Sequence, residues 1–183
     1  MNSEHEILGK ILYTEADILK RAAELGQEIA KDYAGESVVF LCTLKGSILW
    51  MADMMKNTDL EMEIDFISAS SYGSSLSSSG IVKIKHDIST DIYKKHVIII
   101  EDIVDTGTTL KYLKEYLKDR NPKSVKVCTL LDKPSGRVAD IEADYVGFTV
   151  DDLFIIGYGL DYDQKYRNLP YISYLDGDKQ QEL

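Results

Sequence analysis

The sequence has few prolines, no long hydrophobic run and no recognisable leader, and each scarcity excludes a class of protein. Only three prolines among 183 residues, with 44% hydrophobic and 28% charged residues, exclude a disordered or proline-rich chain and indicate a folded globule. No apolar run approaches the roughly 18 residues of a membrane span. Residues 1–13 lack the apolar core and small-residue cleavage site of a secretory signal. We therefore expect a cytoplasmic protein with no membrane partner.

Cysteine is also scarce. Cys42 and Cys128 are the two cysteines, and both lie in apolar, strand-like surroundings far apart in the sequence. We expect them to be small core side chains and not part of a disulfide framework or a zinc site. The histidines, at positions 5, 86 and 96, show no metal-ligand spacing either.

Positive charge is in the minority. Lys and Arg number 21 against 31 Asp and Glu, so the formal net charge is -10. This balance argues against nucleic-acid binding through a basic surface. An anionic ligand would need a local site. The length fits a single domain over residues 1–183, with no internal repeat and no linker that would divide it.

Hydrophobic periodicity predicts strands that alternate with helices. Thr14 and Asp17 resemble a capping box at the start of the first helix. Helices are predicted over 14–31, 47–55 and from about 109 to 118, and strands over 37–42, 61–66, 81–85, 97–101, 125–131, 145–150, 153–158 and 171–175. The alternation implies an α/β fold with a parallel sheet covered on both faces.

One segment, residues 70–80, is rich in serine and glycine. A passive flexible connection and a mobile flap that closes over a ligand both fit this composition, and composition alone favours the connection.

The chemistry concentrates in residues 97–110. A buried strand ends in acidic residues and passes through Thr-Gly-Thr-Thr into a helix. Parallel sheets bind ligands at the carboxyl ends of their strands. Gly107 permits a tight turn, and the free amides of the new helix together with threonine hydroxyls make a site for one phosphate monoester. The carboxylates before the turn suit an adjacent polyol and a divalent cation. Capping of the helix without any ligand is the competing explanation.

The whole string 97–110 resembles the phosphoribosyl-diphosphate binding motif of the type I phosphoribosyltransferases. Further blocks, in the same order and at similar separations, resemble the bacterial hypoxanthine phosphoribosyltransferases of that family; they are residues 44–46, 70–73, 130–134, 152–161 and Arg167. The resemblance implies a type I phosphoribosyltransferase fold, in which helices flank a central parallel β-sheet. It also implies a small hood formed by the terminal segments and a flexible flap.

The resemblance implies roles on the ribose and phosphate side. Glu101 and Asp102 would hold the ribose hydroxyls and, through them, Mg²⁺. The 5′-phosphate would lie in a cradle made by Asp105, Thr106, Gly107, Thr108 and Thr109. Lys45 and Gly46 match the pyrophosphate loop, where the family has a cis peptide bond after Leu44. Arg167 matches a second pyrophosphate contact, and Ser71 and Tyr72 match flap residues. Leu76 departs from the polar residue that many relatives carry in the flap.

On the base side, Lys133 matches a donor to the purine 6-oxo group, Phe154 a stacking ring and Ile155 a backbone contact to the base edge. Asp161 matches the ligand of a second Mg²⁺. Asp105 matches the group that manages the proton at purine N7, which makes it the catalytic candidate.

The implied reaction transfers the phosphoribosyl group from 5-phosphoribosyl 1-diphosphate to hypoxanthine or guanine, in purine salvage. A lysine donor favours a carbonyl oxygen, so adenine is disfavoured. The alternatives are a non-catalytic nucleotide-sensing regulator of the same fold and a phosphoribosyltransferase for another base. The family also implies a homo-dimer or homo-tetramer. Met51, Met54 and Met55 would suit either an interface or the core.

Overall fold

A computed structural model describes residues 8–71 and 82–176. Its central sheet has six strands in the order β3-β2-β1-β4-β5-β6, and a second sheet contains two strands, β7 and β8. The elements are α1 Glu15–Asp32, β1 Val38–Thr43, α2 Ile48–Asn57, β2 Met62–Ser71, β3 Val82–His86, β4 His96–Val104, α3 Thr108–Lys118, β5 Ser124–Asp132, a 3₁₀ turn Pro134–Gly136, β6 Tyr145–Thr149, β7 Ile155–Ile156 and β8 Ser173–Tyr174.

The central sheet is parallel except at one edge. β1 pairs in parallel with β2 and β4, so that Phe40 lies between Ile64 and Ile98, and β4 and β5 continue the parallel order to β6. β3 pairs antiparallel with β2. The prediction of a parallel sheet with helices is therefore confirmed, with one antiparallel strand added at the edge.

Side chains of the central strands alternate between two hydrophobic cores. Phe40 packs with α1 and α2 on one face, whereas Leu41 packs with α3 on the other, and both side chains are almost fully buried. Successive residues of a strand point to opposite faces, so an uninterrupted apolar strand must be covered on both sides. Each large aliphatic side chain buried in this way contributes about 1.5–3 kcal/mol through removal from water.

The first helix begins at the predicted capping box. The Asp17 backbone amide donates to the Thr14 hydroxyl at 3.2 Å, and the Thr14 amide donates to the Asp17 carboxylate at 2.9 Å. Both amides lack an acceptor within the helix, so the reciprocal bonds fix its start. The face that carries Ile18, Leu25 and Ile29 is buried against the sheet.

The terminal segments form a small hood. β7 and β8 pair antiparallel, and Leu8 and Tyr13 form bridges to Leu175 and Ile172. Both chain ends thus contribute to a layer over the carboxyl edge of the sheet, as the family resemblance implied.

Among the strand boundaries that differ from the sequence prediction, two affect the candidate site. β4 does not end at Glu101 but continues to Val104, so Glu101 and Asp102 lie within the strand. The strand expected over 153–158 is reduced to Ile155–Ile156, because the chain turns at Gly157 and Gly159, whose φ angles are +91° and +100°. Hydrophobic alternation did not reveal this turn.

The prediction that both cysteines are core side chains is confirmed, and the structure decides between the two alternatives for Met51 and Met54. Cys42 and Cys128 are free and fully buried, and Met51 and Met54 belong to the core beneath the sheet. His96 begins β4, where its ring lies 2.7 Å from the Ser124 hydroxyl.

Part of the expected flap lies outside the described residues. Tyr72 and Leu76 are not described, and Ser71 is described only as the backbone end of β2. His5 also falls outside. Among the described helices, none has the length and apolar character needed to cross a bilayer.

Candidate active site

The predicted site residues meet at the carboxyl edge of the central sheet. The neighbouring strands β1, β4 and β5 end at this edge, and each is followed by a loop that carries predicted residues. Lys45 and Gly46 follow β1, Asp105 follows β4, and Lys133 follows β5. Parallel pairing brings these loops together although they are far apart in the sequence.

Residues 105–109, here called the β4–α3 turn, comprise the loop after β4 and the first two residues of α3. Gly107 is the N-cap of α3 with φ +76°, and a Cβ there would lie 2.6 Å from Ile141 Cγ2. A side chain would therefore be strained and crowded. The turn lines a cavity of about 190 Å³. The backbone amides in the first turn of a helix have no acceptor within the helix, so they are free to bind an anion. The cavity lining includes Glu101, Asp105, Thr106, Gly107 and Thr109.

Arg137 supports this turn from a distant segment, and the sequence analysis missed it. Its guanidinium donates to the backbone oxygens of Asp105 at 2.9 Å and Val104 at 3.1 Å, and it also pairs with the Asp132 carboxylate. The amides of residues 138 and 139 both donate to the Thr106 oxygen. Arg137 lies four residues after Lys133, and that proximity was the one signal that could have singled it out.

Two carboxylates follow one another at the end of β4. The Thr43 hydroxyl donates to Glu101 Oε1 at 2.8 Å, and the Ile103 amide donates to Asp102 Oδ1 at 2.8 Å. Burial, followed by repulsion from Asp102, raises the pKa of Glu101 well above its usual range, and burial also raises the pKa of Asp102. Hydroxyl donors or a cation beside the pair would favour the ionised forms.

This carboxylate pair fits a divalent cation by its chemistry. Carboxylate oxygens are the ligands that Mg²⁺ prefers, and Mg²⁺ commonly keeps several waters and uses only one or two protein carboxylates. Within residues 8–71 and 82–176, no three His, Cys, Asp or Glu side chains lie close enough to hold a metal by themselves. A cation here would complete its coordination with substrate and water oxygens.

The loop after β1 lies against the carboxylate pair. The peptide bond between Leu44 and Lys45 is cis, as the resemblance implied. A Cβ on Gly46 would lie only 1.5 Å from Asp102 Oδ2, so glycine allows the loop to approach that carboxylate. On the other side of the loop, a Cβ on Gly159 would lie 1.9 Å from the Gly46 backbone oxygen. Two glycines therefore let three segments meet closely.

The third of these segments carries Asp161 and Arg167. The Arg167 guanidinium donates to Asp161 Oδ1 at 2.6 Å and to the Gly159 backbone oxygen at 2.7 Å. The Gln164 amide donates to Asp161 Oδ2 at 2.8 Å, and Lys45 Nζ lies 3.3 Å from Gln164 Oε1. Both cationic side chains predicted to contact pyrophosphate thus lie at one place.

A second cavity of about 250 Å³ adjoins the first, and Ile103 and Asp105 line both of them. The lining of the second cavity also includes Asp102, Lys133, Phe154, Ile155 and Asp161. The Phe154 ring is 52% exposed, although exposure of a large aromatic side chain costs hydrophobic free energy. Tyr162 packs edge-on against it with ring centroids 5.7 Å apart. An exposed ring at a cavity wall offers a stacking surface for a planar ligand.

Lys133 lies between two carboxylates at this cavity. Its Nζ is 3.0 Å from Asp105 Oδ2 and 3.3 Å from Asp152 Oδ1. Burial alone would lower the pKa of Lys133, but the Asp105 and Asp152 carboxylates outweigh it and raise that pKa. The ammonium therefore stays charged, and it is a donor only.

The structure brings the described site residues together around these two cavities, with Lys45 and Arg167 beside them. Of the predicted flap residues, Tyr72 lies outside the described residues, and Ser71 is described only by its backbone.

Comparisons with known proteins agree with this architecture. The family model for the phosphoribosyl transferase domain matches residues 9–163. The hypoxanthine-guanine phosphoribosyltransferase of Streptococcus thermophilus (strain CNRZ 1066) is 53% identical over 166 residues, which cover 91% of this chain and 92% of that protein. The protein of the same name from Streptococcus mutans is 51% identical over 169 residues, with 92% and 94% covered.

A crystal structure gives the same result in three dimensions. A hypoxanthine phosphoribosyltransferase from Staphylococcus aureus superposes with a TM-score of 0.92 at 48% identity, and 97% of each chain is covered. Agreement of this extent covers nearly the whole chain. The chain belongs to the phosphoribosyltransferase family.

Proposed function

We propose that this chain transfers the 5-phosphoribosyl group of 5-phosphoribosyl 1-diphosphate to N9 of a 6-oxopurine and releases pyrophosphate, in purine salvage. Hypoxanthine would give IMP, and guanine would give GMP. The observation that carries the proposal is Lys133 paired with Asp105 at 3.0 Å in a cavity that also has the exposed Phe154 ring as a wall. The names of the close relatives support the same reaction.

The β4–α3 turn would bind the 5′-phosphate. Its cavity adjoins the purine cavity, and backbone amides at the start of α3 attract an anion without a basic side chain. Glu101 and Asp102 lie between the turn and the loop after β1, where they would accept hydrogen bonds from the ribose hydroxyls. Local groups thus compensate for a chain of net charge -10.

Lys133 and Phe154 would select and orient the base. The ammonium can only donate, so it stabilises a 6-oxo group and rejects the 6-amino group of adenine. The Phe154 ring would stack on the purine, with the Ile155 backbone at the base edge. A site that reads one polar group of a substrate can reject the analogue that lacks it by large factors.

Asp105 would accept the proton from purine N7. The N9–C1′ bond forms while the bond between C1′ and the pyrophosphate oxygen breaks, and the leaving pyrophosphate takes the electron pair. The Asp105 carboxylate beside Lys133 stays within reach of the base because the two side chains share a cavity. Positioned proton transfer of this kind contributes about 10² to 10⁴ in rate.

Lys45, Gly46 and Arg167 would hold the pyrophosphate. The Arg167 guanidinium presents a planar set of donors suited to phosphate oxygens, and Lys45 adds a second positive charge. We include Mg²⁺ in the proposal: Glu101 and Asp102 would hold one ion through the ribose hydroxyls and Asp161 a second one. The ion would neutralise charge on the leaving group.

A competition assay tests this function. Hypoxanthine, guanine, xanthine and adenine are offered with 5-phosphoribosyl 1-diphosphate and Mg²⁺, and pyrophosphate release and nucleotide formation are measured. We expect turnover of hypoxanthine and guanine, none of adenine, and loss of activity when Mg²⁺ is chelated. Nucleotide binding without pyrophosphate release would identify a regulator, turnover of adenine would refute the role of Lys133, and activity after chelation would refute the metal assignment.

A further inference from the structure

A buried hydrogen bond links the two segments that surround the proposed pyrophosphate site. The Tyr158 hydroxyl donates to the Asp53 carboxylate, and the two residues are only 3% and 8% exposed. Tyr158 belongs to the turn after β7, whereas Asp53 lies on α2. A charge-assisted bond sheltered from water is stronger than one at the surface and holds its partners more firmly.

Tyr158 is placed so that it controls Arg167. Its backbone amide donates to the Leu169 oxygen at 2.9 Å, and the next amide, of Gly159, donates to the Arg167 oxygen at 2.9 Å. In turn, the Arg167 guanidinium donates a hydrogen bond of 2.7 Å to the Gly159 backbone oxygen. A displacement of the turn at 157–159 would therefore move the guanidinium.

Asp53 lies on the helix that follows the loop of Lys45 and Gly46. Ser47, the residue after Gly46, is the N-cap of α2. Its hydroxyl donates to the Thr43 backbone oxygen at 2.6 Å. A second oxygen of Asp53 pairs with Lys56 within the same helix. The carboxylate is thus held on α2 and offers its other oxygen to Tyr158.

We propose that Tyr158 is a positioning residue that, through Asp53, holds the Lys45–Gly46 loop and Arg167 at the separation that pyrophosphate requires. The proposal rests on the proposed function, since it assigns the bond to the leaving-group half of that reaction. The Lys133 side of the purine cavity is held separately from this bond, because Lys133 pairs with Asp105 and Asp152 on other loops.

The chain offers a matched control. The Tyr145 hydroxyl donates to Asp32 Oδ2 at 2.8 Å, and Tyr145 is 7% exposed. Tyr145 begins β6 and Asp32 ends α1, so this pair lies at the amino edge of the sheet, opposite the site. Tyr158→Phe and Tyr145→Phe each delete one hydroxyl of a buried tyrosine that donates to an aspartate, although Asp32 is exposed whereas Asp53 is buried.

The experiment compares steady-state kinetics of the full chain and both variants. For Tyr158→Phe we expect the KM for 5-phosphoribosyl 1-diphosphate and the inhibition constant of pyrophosphate each to rise about tenfold, because misplaced contacts bind more weakly. The KM for hypoxanthine should stay within about twofold. Tyr145→Phe should leave all three constants within about twofold, with a smaller loss of thermal stability than Tyr158→Phe because its partner Asp32 is exposed.

The outcomes separate the two proposals. Equal constants in the two tyrosine variants, or a parallel rise in the KM of both substrates, would overturn the positioning role. Absence of phosphoribosyl transfer by the unmodified chain would instead overturn the proposed function. If Tyr158→Phe does not fold, Asp53→Ala takes its place with Asp32→Ala, which removes the acceptor of the Tyr145 hydroxyl, as control. The rise in KM must then appear in the former and be absent from the latter.

Discussion

The two halves of the site are built in different ways. The half proposed to bind the ribose and its phosphate is one continuous stretch, in which Glu101, Asp102 and the β4–α3 turn follow one another along the chain. The pyrophosphate and purine half is assembled from separate loops that carry Lys45, Lys133 and Arg167. A continuous stretch can be recognised from the sequence, whereas an assembled one needs the fold to bring its parts together.

The halves also use different physical means. The continuous half relies on main-chain amides at a helix N-terminus, which are in place as soon as the turn forms. The assembled half relies on charged side chains, and these are held by ion pairs such as Arg167 with Asp161 at 2.6 Å and Lys133 with Asp105 at 3.0 Å. A substitution in either half should therefore affect a different substrate constant.

The largest effect is expected at Asp105, where the halves meet. Asp105→Asn should lower turnover about 10² to 10⁴-fold, because the amide cannot accept the N7 proton, and should leave the affinity for 5-phosphoribosyl 1-diphosphate nearly unchanged. Single-turnover kinetics and equilibrium binding measure the two quantities. Equal losses in turnover and in affinity for 5-phosphoribosyl 1-diphosphate would give Asp105 a binding role and contradict its role as proton acceptor.

A smaller effect is expected at Lys133, in the assembled half. Lys133→Gln removes a charged donor, so we expect the KM for hypoxanthine to rise about 10 to 100-fold while the KM for 5-phosphoribosyl 1-diphosphate stays almost constant. Discrimination against adenine should weaken in the same variant. Measurement of both KM values with each base checks this, and an unchanged adenine rejection would contradict the assigned donor role.

Arg137 supports the continuous half from a distant part of the chain, so its substitution tests whether that half depends only on its own residues. Arg137→Met removes the bonds to the Asp105 and Val104 oxygens, so the KM for 5-phosphoribosyl 1-diphosphate should rise about tenfold, with a stability loss of about 1–3 kcal/mol. Arg137→Lys keeps the charge and should lose less of both. An unchanged KM would show that the turn holds its shape without help.

The smallest effect is expected at Asp65, which lies outside both halves of the site, and it concerns stability alone. Asp65 accepts bonds of 2.7 Å from the amides of Phe66, Ser89 and Thr90. Burial raises the pKa of Asp65, but the amides of Thr90, Phe66 and Ser89 outweigh burial and lower it. Asp65→Asn should therefore reduce the free energy of unfolding by about 1–2 kcal/mol at pH 7, with kinetic constants unchanged.

The pH dependence follows from the direction of that shift. Because the folded pKa lies below the unfolded value of about 3.9, the contribution of Asp65 is complete well above that pH and is lost as the pH falls through the folded pKa. The difference in unfolding free energy between the parent and Asp65→Asn should thus shrink from pH 7 to pH 3 in urea titrations. A constant difference over this range would mean that the carboxylate charge is not involved.

Features that depend on residues close together in the chain could be predicted from the sequence, whereas features that depend on distant partners could not. The capping box of Thr14 and Asp17 and the buried strand of β1 depend on residues close in the chain, and both were predicted. The site residues matched a family pattern whose parts were recognisable one by one. Arg137 and Tyr158 were missed because each acts through a partner from another segment, the Asp105 backbone or the Asp53 carboxylate. The turn at Gly157 was not predicted because three consecutive positive φ angles, at residues 157–159, interrupt an otherwise apolar run.

The sequence by itself determined the alternation of helices and strands, the burial of both cysteines and the chemistry of residues 101–109, because periodicity, polarity and turn residues act over short distances along the chain. Only the tertiary structure decided how closely Gly46 approaches Asp102, which partners hold Lys133 and Arg167, and which buried bond joins α2 to the turn after β7. Those distances depend on how the strands are ordered and how the hood packs, and pairing between distant segments leaves no periodic trace in a single sequence.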